Sequence, residues 1–223
     1  RALRVQSVAG APNAELKALR RWLLDSGQTL RSRIDLAPAF TLENARVDLS
    51  PAGLQGTDVL LLDERAWQNL SVGQRRQIRA AVNAGLGVLL RVTGPVSNAT
   101  RADFRQMGIQ IEAAELPPTI KLENKAEAIE LSRQPVKVDA AQGRVLLQSA
   151  QGQALALSKP LGQGRVAVLW LADSYRLALA GNGPQFGQMW SALFSEIARP
   201  YERSGPAFLS AHHWQGRRLV ICH

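Results

Sequence analysis

Two short, continuous apolar runs constrain the fold of this chain more than any other feature. Residues 58–63 have the sequence Asp-Val-Leu-Leu-Leu-Asp, and residues 87–92 have the sequence Gly-Val-Leu-Leu-Arg-Val. Runs of this length without polar alternation are typical of strands buried on both faces of a parallel sheet. Helices must cover both faces of such a sheet, because parallel strands are joined by crossover connections. The sequence therefore predicts an α/β fold.

The segments around these runs supply the predicted crossover helices. Asn13 is placed to cap a helix that follows a strand at residues 3–9, and Ser71 with Gln74 forms a capping box for a later helix. A further helix is predicted over residues 100–108. Strands that alternate with helices of this length indicate a mostly parallel sheet with helices on both faces.

From residue 109 onward, the apolar residues recur with a period of two. Gln151-Gly152 and Gly162-Gln-Gly164 are typical hairpin turns, because glycine adopts positive φ at no steric cost. The pattern predicts an antiparallel meander in the second half of the chain. The predicted strands cover residues 121–131, 136–138, 144–149, 153–159 and 165–171.

A final amphipathic helix is predicted to begin near Pro184 and to end before Arg199. Its apolar residues have helical spacing and are Phe186, Met189, Trp190, Leu193, Phe194 and Ile197. Only the sheet can cover so many large apolar side chains, so we predict one domain over residues 1–200. Residues 201–223 are predicted to be a linker and the start of a following β module, or an edge hairpin.

The charge balance leaves several classes of partner open. The chain has 27 Lys and Arg against 18 Asp and Glu, a net charge of +9, which permits nucleic acid, anionic lipid or an acidic partner. No aromatic platform or single-face stripe accompanies these charges, so no specific nucleic-acid binding is expected. The longest apolar stretches fall far short of the roughly 20 residues of a membrane-spanning helix. Because the chain begins with Arg1, and no signal peptide follows, we expect it to be a fragment.

The residues best suited to catalysis or metal binding are few and lie at the end of the chain. One cysteine, Cys222, excludes an internal disulfide and a multi-cysteine zinc site. His212 and His213 are neighbours on a predicted strand, where they face opposite ways and cannot readily share an ion. A Cys222–His213 pair across a hairpin is conceivable, although a half-buried strand cysteine is the favoured interpretation, and His223 has no assigned role. We therefore assign no catalytic, cofactor-binding or metal-binding residue and expect no cofactor.

A candidate ligand crevice is predicted where the parallel strands end. In open α/β sheets, ligands bind outside the carboxyl ends of the strands. The alternative interpretation is that polar residues at these positions only terminate strands and cap helices. Gly10-Ala-Pro-Asn lacks the further glycines and the lysine of nucleotide-binding loops, so nucleotide binding is unsupported. The candidate crevice residues are Gly10, Pro12, Asp63, Glu64, Thr93, Gly94, Asp173 and Ser174.

Three segments carry a resemblance to a known family. Residues 3–23 combine a strand, a Gly-Ala-Pro turn and a helix that contains Glu15. Residues 86–95 form a strand that ends in Thr-Gly-Pro, and residues 160–176 combine a Gly-Gln-Gly-Arg-Val strand with a short polar turn before the helix of Trp190. Together they resemble the class I glutamine amidotransferase-like domains of large bacterial membrane proteins. The resemblance implies a flavodoxin-like sheet and a location outside the cytoplasmic membrane.

Active members of that family carry a cysteine in a Gly-x-Cys-x-Gly elbow and a late His-x-Glu pair. The corresponding positions here are Thr93-Gly94-Pro95 and Ala172-Asp173-Ser174. Neither the thiolate nor its base is present at these positions. Thioester chemistry is therefore not carried over to this chain.

The resemblance thus implies a non-catalytic, amidotransferase-like, soluble periplasmic domain of a bacterial inner-membrane protein. Its expected role is protein interaction or ligand sensing, with other envelope or membrane proteins as partners, a membrane-anchored parent protein and an unidentified small-molecule ligand. One alternative is a hydrolase that uses Asp63, Thr93 or Ser174 in the crevice. Another is a basic module that binds nucleic acid or an anionic envelope polymer.

Overall fold

The computed structural model describes residues 2–37, 40–122, 129–200, 211–215 and 218–222. The first part of the chain contains β1 (Arg4–Ala9), α1 (Ala14–Asp25), β2 (Thr29–Ala37), β3 (Phe40–Glu43), α2 (Pro51–Gln55), β4 (Val59–Asp63), α3 (Glu64–Asn69), α4 (Val72–Asn83), β5 (Gly87–Arg91) and α5 (Asn98–Gln106). The second part contains β6 (Ile109–Ala113), β7 (Thr119–Leu122), β8 (Ile129–Ser132), β9 (Val136–Ala140), β10 (Arg144–Gln148), β11 (Ala154–Leu161), β12 (Gly164–Leu169), α6 (Tyr175–Leu179), α7 (Gly183–Ile197), β13 (Ala211–Gln215) and β14 (Arg218–Cys222).

An eight-stranded sheet forms the centre of the molecule, in the order β10-β11-β12-β5-β4-β1-β2-β3. The strands from β12 to β2 are parallel, and antiparallel strands extend the sheet at both sides. The order of the parallel strands is that of flavodoxin-like folds. The predicted α/β class, with a mostly parallel flavodoxin-like sheet, is confirmed.

The two apolar runs that predict the fold are the neighbouring central strands β4 and β5. Every residue of both strands is buried. Alternate side chains enter different cores, so Leu60 and Leu62 pack with α3, α4 and α5 on one face of the sheet. Val59 and Leu61 pack with α1, α6 and α7 on the other face. Helices therefore cover both faces, as predicted.

The predicted helix caps are present. The Asn13 side chain accepts a hydrogen bond from the Leu16 amide at 2.9 Å, and α1 begins at the next residue after this cap. Ser71 and Gln74 make both hydrogen bonds of a capping box at the start of α4. Gly27, which follows α1, has a φ of +70°, as expected for a left-handed helix stop.

The second half of the chain contains the predicted meander, formed by β10, β11 and β12. The single strand predicted over residues 121–131 is wrong. Instead, β7 and β8 form a separate antiparallel pair, and residues 123–128 between them lie outside the described part. Ile120 and Leu131 are opposite each other in this pair, and both are buried. Because Ile120 and Leu131 are an odd number of positions apart, a single continuous strand would place them on opposite faces. The chain reversal places both on the same buried face.

The backbone of the final segment forms a separate two-stranded antiparallel sheet. Ala211 in β13 is opposite Cys222 in β14, and His213 is opposite Val220. The two strands predicted near the end of the chain are therefore present, while His223 lies outside the described residues. In the described parts of the chain, we find no helix with the length and apolar character needed to span a membrane.

Arg199 joins the end of α7 to the amino-terminal edge of the sheet. Its guanidinium donates hydrogen bonds to the carbonyls of Thr57 at 3.1 Å, Ala84 at 2.6 Å and Leu54 at 3.1 Å. At the same edge, the Arg4 side chain is paired with the buried Asp58 carboxylate at 2.9 Å. The Arg199 hydrogen bonds connect the end of α7 with segments that precede it by more than 100 residues.

Gly87, at the start of β5, provides a test of this packing. A Cβ at position 87 would overlap the carbonyl oxygen of Ile197 at the end of α7. We therefore expect Gly87→Ala to lower the free energy of unfolding by about 1–3 kcal/mol, measured by urea denaturation.

The matched control is Gly73→Ala, inside α4, where an added Cβ meets only the Ser71 hydroxyl at 3.7 Å. We expect this change to leave the stability unaltered or to raise it by up to about 1 kcal/mol, because alanine favours helix. Equal stabilities of the two variants would contradict the close approach of α7 to β5.

Candidate functional site

The predicted crevice lies at the carboxyl edge of the sheet, where β1 and β4 end side by side. From β1 the chain continues to β2 on one side, and the later strand β4 lies on the other side. Such a reversal of strand order is the usual position of a ligand crevice in open α/β sheets. Gly10 follows β1 and Asp63 ends β4, so the structure brings these two predicted residues together.

Asp63 connects the end of β1 to α3. Its carboxylate accepts hydrogen bonds from the Gly10 amide at 2.9 and 3.0 Å and from the Ala66 amide at 2.7 Å. The side chain also caps α3. Burial raises the pKa of Asp63 above its ordinary value, and the hydrogen bonds from Ala66 and Gly10 oppose this shift.

Glu64 holds the loop that follows β5. Its carboxylate accepts hydrogen bonds from the Thr93 amide at 2.8 Å and from the Thr93 hydroxyl at 3.0 and 3.2 Å. A Cβ at Gly94 would lie 3.0 Å from the same carboxylate, so glycine permits the close approach of this loop. Gln134 fixes the loop from the other side, since its amide donates to the Thr93 carbonyl at 2.9 Å.

Glu15 joins α1 to the turn before α6. Its carboxylate accepts hydrogen bonds from the Ser174 hydroxyl and from the Tyr175 amide, the latter at 2.9 Å. The Trp190 indole donates to the Ser174 oxygen at 3.1 Å. Burial is the main reason that the pKa of Glu15 is raised above its ordinary value of 4.5, while Arg91 and these hydrogen bonds lower it.

Asp173, the residue before Ser174, connects the same turn to β8. It accepts hydrogen bonds from the Ser132 amide at 2.6 Å and from the Ser132 hydroxyl at 2.9 Å. Arg176 lies 3.5 Å from the Asp173 carboxylate. The turn after β12 is therefore fixed by Glu15 on one side and by Asp173 on the other.

Arg91, at the end of β5, is a buried positive charge at this edge. It is fully buried, with 1% of its surface exposed, and its three guanidinium nitrogens have no hydrogen-bond partner among the described residues. Burial lowers the pKa of Arg91, whereas the nearby carboxylates of Glu15, Asp63 and Glu64 raise it. The guanidinium is thus electrostatically coupled to three carboxylates.

The structure places the predicted crevice residues in three groups. Gly10 lies with Asp63, while Glu64 lies with Thr93 and Gly94. Asp173 and Ser174 lie on the turn after β12. Pro12 is exposed and lines a separate groove beside α1.

No sequence pattern assigns a role in the site to Arg91, Ser132 or Gln134, and Glu15 enters only through the family resemblance. Two features of the sequence indicate that Arg91 and Glu15 are unusual. Arg91 is a charge within an apolar strand, and Glu15 shares the buried helix face of Leu19 and Leu23. Both features predict a buried charge that requires compensation.

Three hydroxyl groups of the site donate to carboxylates: Thr93 to Glu64, Ser174 to Glu15 and Ser132 to Asp173. Glu64 and Glu15 also accept hydrogen bonds from the backbone amides of Thr93 and Tyr175, so each carboxylate joins two chain segments. Pro95 supplies no amide hydrogen to stabilise an oxyanion. Among the described residues, no group of three or more His, Cys, Asp or Glu side chains is arranged to hold a metal ion.

Comparison with known proteins shows similarity of fold. No family model and no curated protein matches the chain. A cytoplasmic protein from Salmonella typhimurium is similar with a TM-score of 0.61 and 12% identity, over 89% of this chain and 100% of that one. An exo-β-1,4-mannosidase from an Opitutaceae bacterium is similar with a TM-score of 0.59 and 13% identity, over 89% of this chain but 37% of the mannosidase. A ThuA-like protein from Parabacteroides merdae has a TM-score of 0.50 and 9% identity, over 92% of this chain and 94% of that one.

The raised pKa of Glu15 predicts a pH-dependent stability. The folded protein retains a proton on Glu15 at pH values where the unfolded chain has released it, so this contribution is complete below pH 4.5 and is lost as the pH rises through the folded pKa. Glu15→Gln does not titrate. We therefore expect the stability of Glu15→Gln relative to the wild type to increase from about pH 4 to about pH 7, measured by urea denaturation.

Ser174→Ala provides the contrasting variant. The Ser174 hydroxyl lowers the pKa of Glu15, so its removal should raise that pKa further and steepen the loss of stability with pH. A difference between Glu15→Gln and wild type that stays constant over this pH range would contradict the burial of an ionisable Glu15.

Removal of the Arg91 charge should destabilise this edge most at neutral pH. Arg91→Met leaves Glu15, Asp63 and Glu64 without their shared positive charge. We expect a loss of about 3–5 kcal/mol in the free energy of unfolding at neutral pH and a smaller loss in acid, because Glu15 and Asp63, whose pKa values are raised, become protonated there.

Arg91→Lys keeps the charge and should lose less stability than Arg91→Met at neutral pH. Thermal or urea denaturation at both pH values provides the measurement. A loss for Arg91→Met that does not depend on pH would assign the role of Arg91 to packing alone.

Proposed function

We propose that the chain is a catalytically silent, amidotransferase-like domain that acts through protein interaction. The observation that supports this proposal is that the carboxylates at the carboxyl edge of the sheet hold neighbouring chain segments. Each one binds a backbone amide of another segment: Asp63 binds Gly10, Glu64 binds Thr93, Glu15 binds Tyr175 and Asp173 binds Ser132. Groups held in this way stabilise loops, whereas catalysis needs groups directed at a bound substrate.

The elbow position gives a second line of support. Thioester chemistry needs an activated nucleophile and backbone donors for the oxyanion. Thr93 occupies the elbow, and both its amide and its hydroxyl are bonded to Glu64. Pro95 follows without an amide hydrogen.

The distribution of the arginines favours interaction with proteins over binding of nucleic acid or an anionic polymer. Part of the positive charge is paired within the fold. Arg75 and Arg79 both contact the Asp103 carboxylate, at 3.0 and 3.2 Å. Arg33 lies 3.2 Å from Asp35, and Arg4 is paired with Asp58. Such pairing reduces the contiguous basic surface that a polyanion would require.

The cellular location forms part of the proposal. The resemblance of residues 3–23, 86–95 and 160–176 supports a soluble periplasmic domain of a membrane-anchored parent protein, with envelope or membrane proteins as partners. Alkaline phosphatase fused after residue 223 of this region in the full-length protein should be active, because the enzyme folds only where its disulfides form. Inactivity of an intact, well-expressed fusion would contradict this location.

Ammonia release from glutamine tests the absence of catalysis. We expect the purified chain to release no ammonia above the rate of a blank, since Thr93, Gly94 and Pro95 at the elbow supply neither the thiolate nor its base. The same assay on Thr93→Ala, Ser174→Ala and Cys222→Ala serves as the control for trace activity.

An activity that one of these substitutions removes would contradict the proposal. Loss of such activity in Ser174→Ala would favour the hydrolase alternative, with Glu15 as the base for the Ser174 hydroxyl. A parallel assay with a p-nitrophenyl ester extends the same test to hydrolysis of other acyl groups.

A further inference from the structure

An apolar groove lies between α1 and the strands β2 and β3, and it extends to Pro12 and Asn13, which follow β1. Its volume is about 420 Å³, which falls within the range of ligand-binding clefts. The apolar side chains that line it are Leu16 and Leu19 of α1, Leu30 and Ile34 of β2, and Leu42 of β3.

The β2–β3 hairpin leaves this side of the sheet incompletely covered. All four residues of β3 are exposed. Phe40 is 70% exposed and Leu42 is 53% exposed, while Leu36 at the end of β2 is 52% exposed. These three side chains account for many of the large apolar groups exposed in the described part of the chain, and such a cluster is typical of an interaction site.

The outer edge of β3 is available for pairing. β3 is the last strand of the central sheet on this side, and among the described residues it pairs only with β2. An edge strand presents unpaired amide and carbonyl groups, which an extended peptide can bind as an additional strand.

The rim of the groove carries positive charge. Lys17 and Arg20, one helical turn apart on α1, line the groove, and no acidic residue does. Neither cation has an ion pair among the described residues. A second copy of the chain would bring the same two cations to this surface, and it has the same overall net charge of +9. Charge complementarity therefore favours an acidic partner.

We propose that this groove binds an extended, acidic segment of a partner protein, which adds to the sheet beside β3. Alternate residues of the added strand face the groove, because side chains in a strand alternate between its two faces. Apolar side chains on that face would contact Leu42 and its neighbours, and carboxylates would approach Lys17 and Arg20. This inference rests on the proposed function as an interaction domain, and it specifies the surface and the chemistry of the partner.

A synthetic peptide provides the probe. We choose a fluorescein-labelled peptide of about ten residues in which every second residue is Thr and the others are Leu and Glu in turn, so that one face carries both apolar and acidic groups. Fluorescence anisotropy measures its affinity for the whole chain. The control peptide has Lys in place of Glu, and we expect it not to bind.

Charge reversal on the protein locates the site. We expect Lys17→Glu with Arg20→Glu to weaken binding of the acidic peptide by at least about tenfold. The matched control is Arg76→Glu with Arg105→Glu, which reverses two exposed arginines of α4 and α5 that line no groove described here. We expect that double variant to change the affinity by less than about twofold.

Hydrogen exchange tests the added strand directly. Binding of the acidic peptide should slow exchange of amides within residues 40–43, because pairing converts solvated edge groups into ladder hydrogen bonds. Binding without protection of these amides would contradict strand addition.

Three further outcomes would overturn the inference. They are absence of binding, equal losses in the two double variants, and protection of residues 40–43 in a dimer of the chain without peptide, which would assign the surface to a second copy. None of these outcomes bears on ammonia release, so failure here and failure of the proposed catalytic silence are distinguishable.

Discussion

The buried positive charge of Arg91 organises the carboxyl edge of the sheet. Its guanidinium has 1% exposure and is coupled to three carboxylates that would otherwise be buried without a counter-charge. A lone ionised carboxylate in an apolar interior is strongly unfavourable, and the nearby charge of Arg91 reduces that cost. Arg91 is the last residue of β5, and the apolar side chains of this strand enter both cores.

The carboxylates in turn hold the loops that close this edge. Asp63 connects the turn after β1 to α3, and Glu64 connects α3 to the loop after β5. Glu15 connects α1 to the turn before α6. In related α/β folds this edge is where ligands enter. Here the carboxylates accept hydrogen bonds from neighbouring chain segments, which supports a structural role for them.

The exposed hairpin of β2 and β3 is the most distinctive of those surfaces. The parallel part of the sheet is covered by helices on both faces, whereas β3 extends the sheet beyond α1 and leaves Phe40 and Leu42 in solvent. Soluble proteins usually protect such an edge with charges or with a covering element. Exposed apolar side chains on β3, beside a groove that Lys17 and Arg20 of α1 line, therefore fit an acidic partner.

The sequence by itself determined the elements whose signals are local. Continuous apolar runs identified β4 and β5, capping residues identified the starts of α1 and α4, and glycines identified the turns of the meander. These signals also predicted the α/β class and the edge at which Gly10 and Asp63 meet. They did not reveal the chain reversal between β7 and β8, which the predicted strand over residues 121–131 passes through.

Only the tertiary structure decided which polar groups meet. Glu15 and Ser174 are separated by 159 residues, and Asp173 reaches Ser132 across 41 residues. No local pattern encodes such pairs, since they depend on the strand order and on the packing of α1 against α6 and α7. The exposure of β3 likewise follows from its place at the end of the sheet, which its four residues do not specify. Local chemistry thus determined the strands and helices, while the pairing of buried charges was determined by how those elements pack.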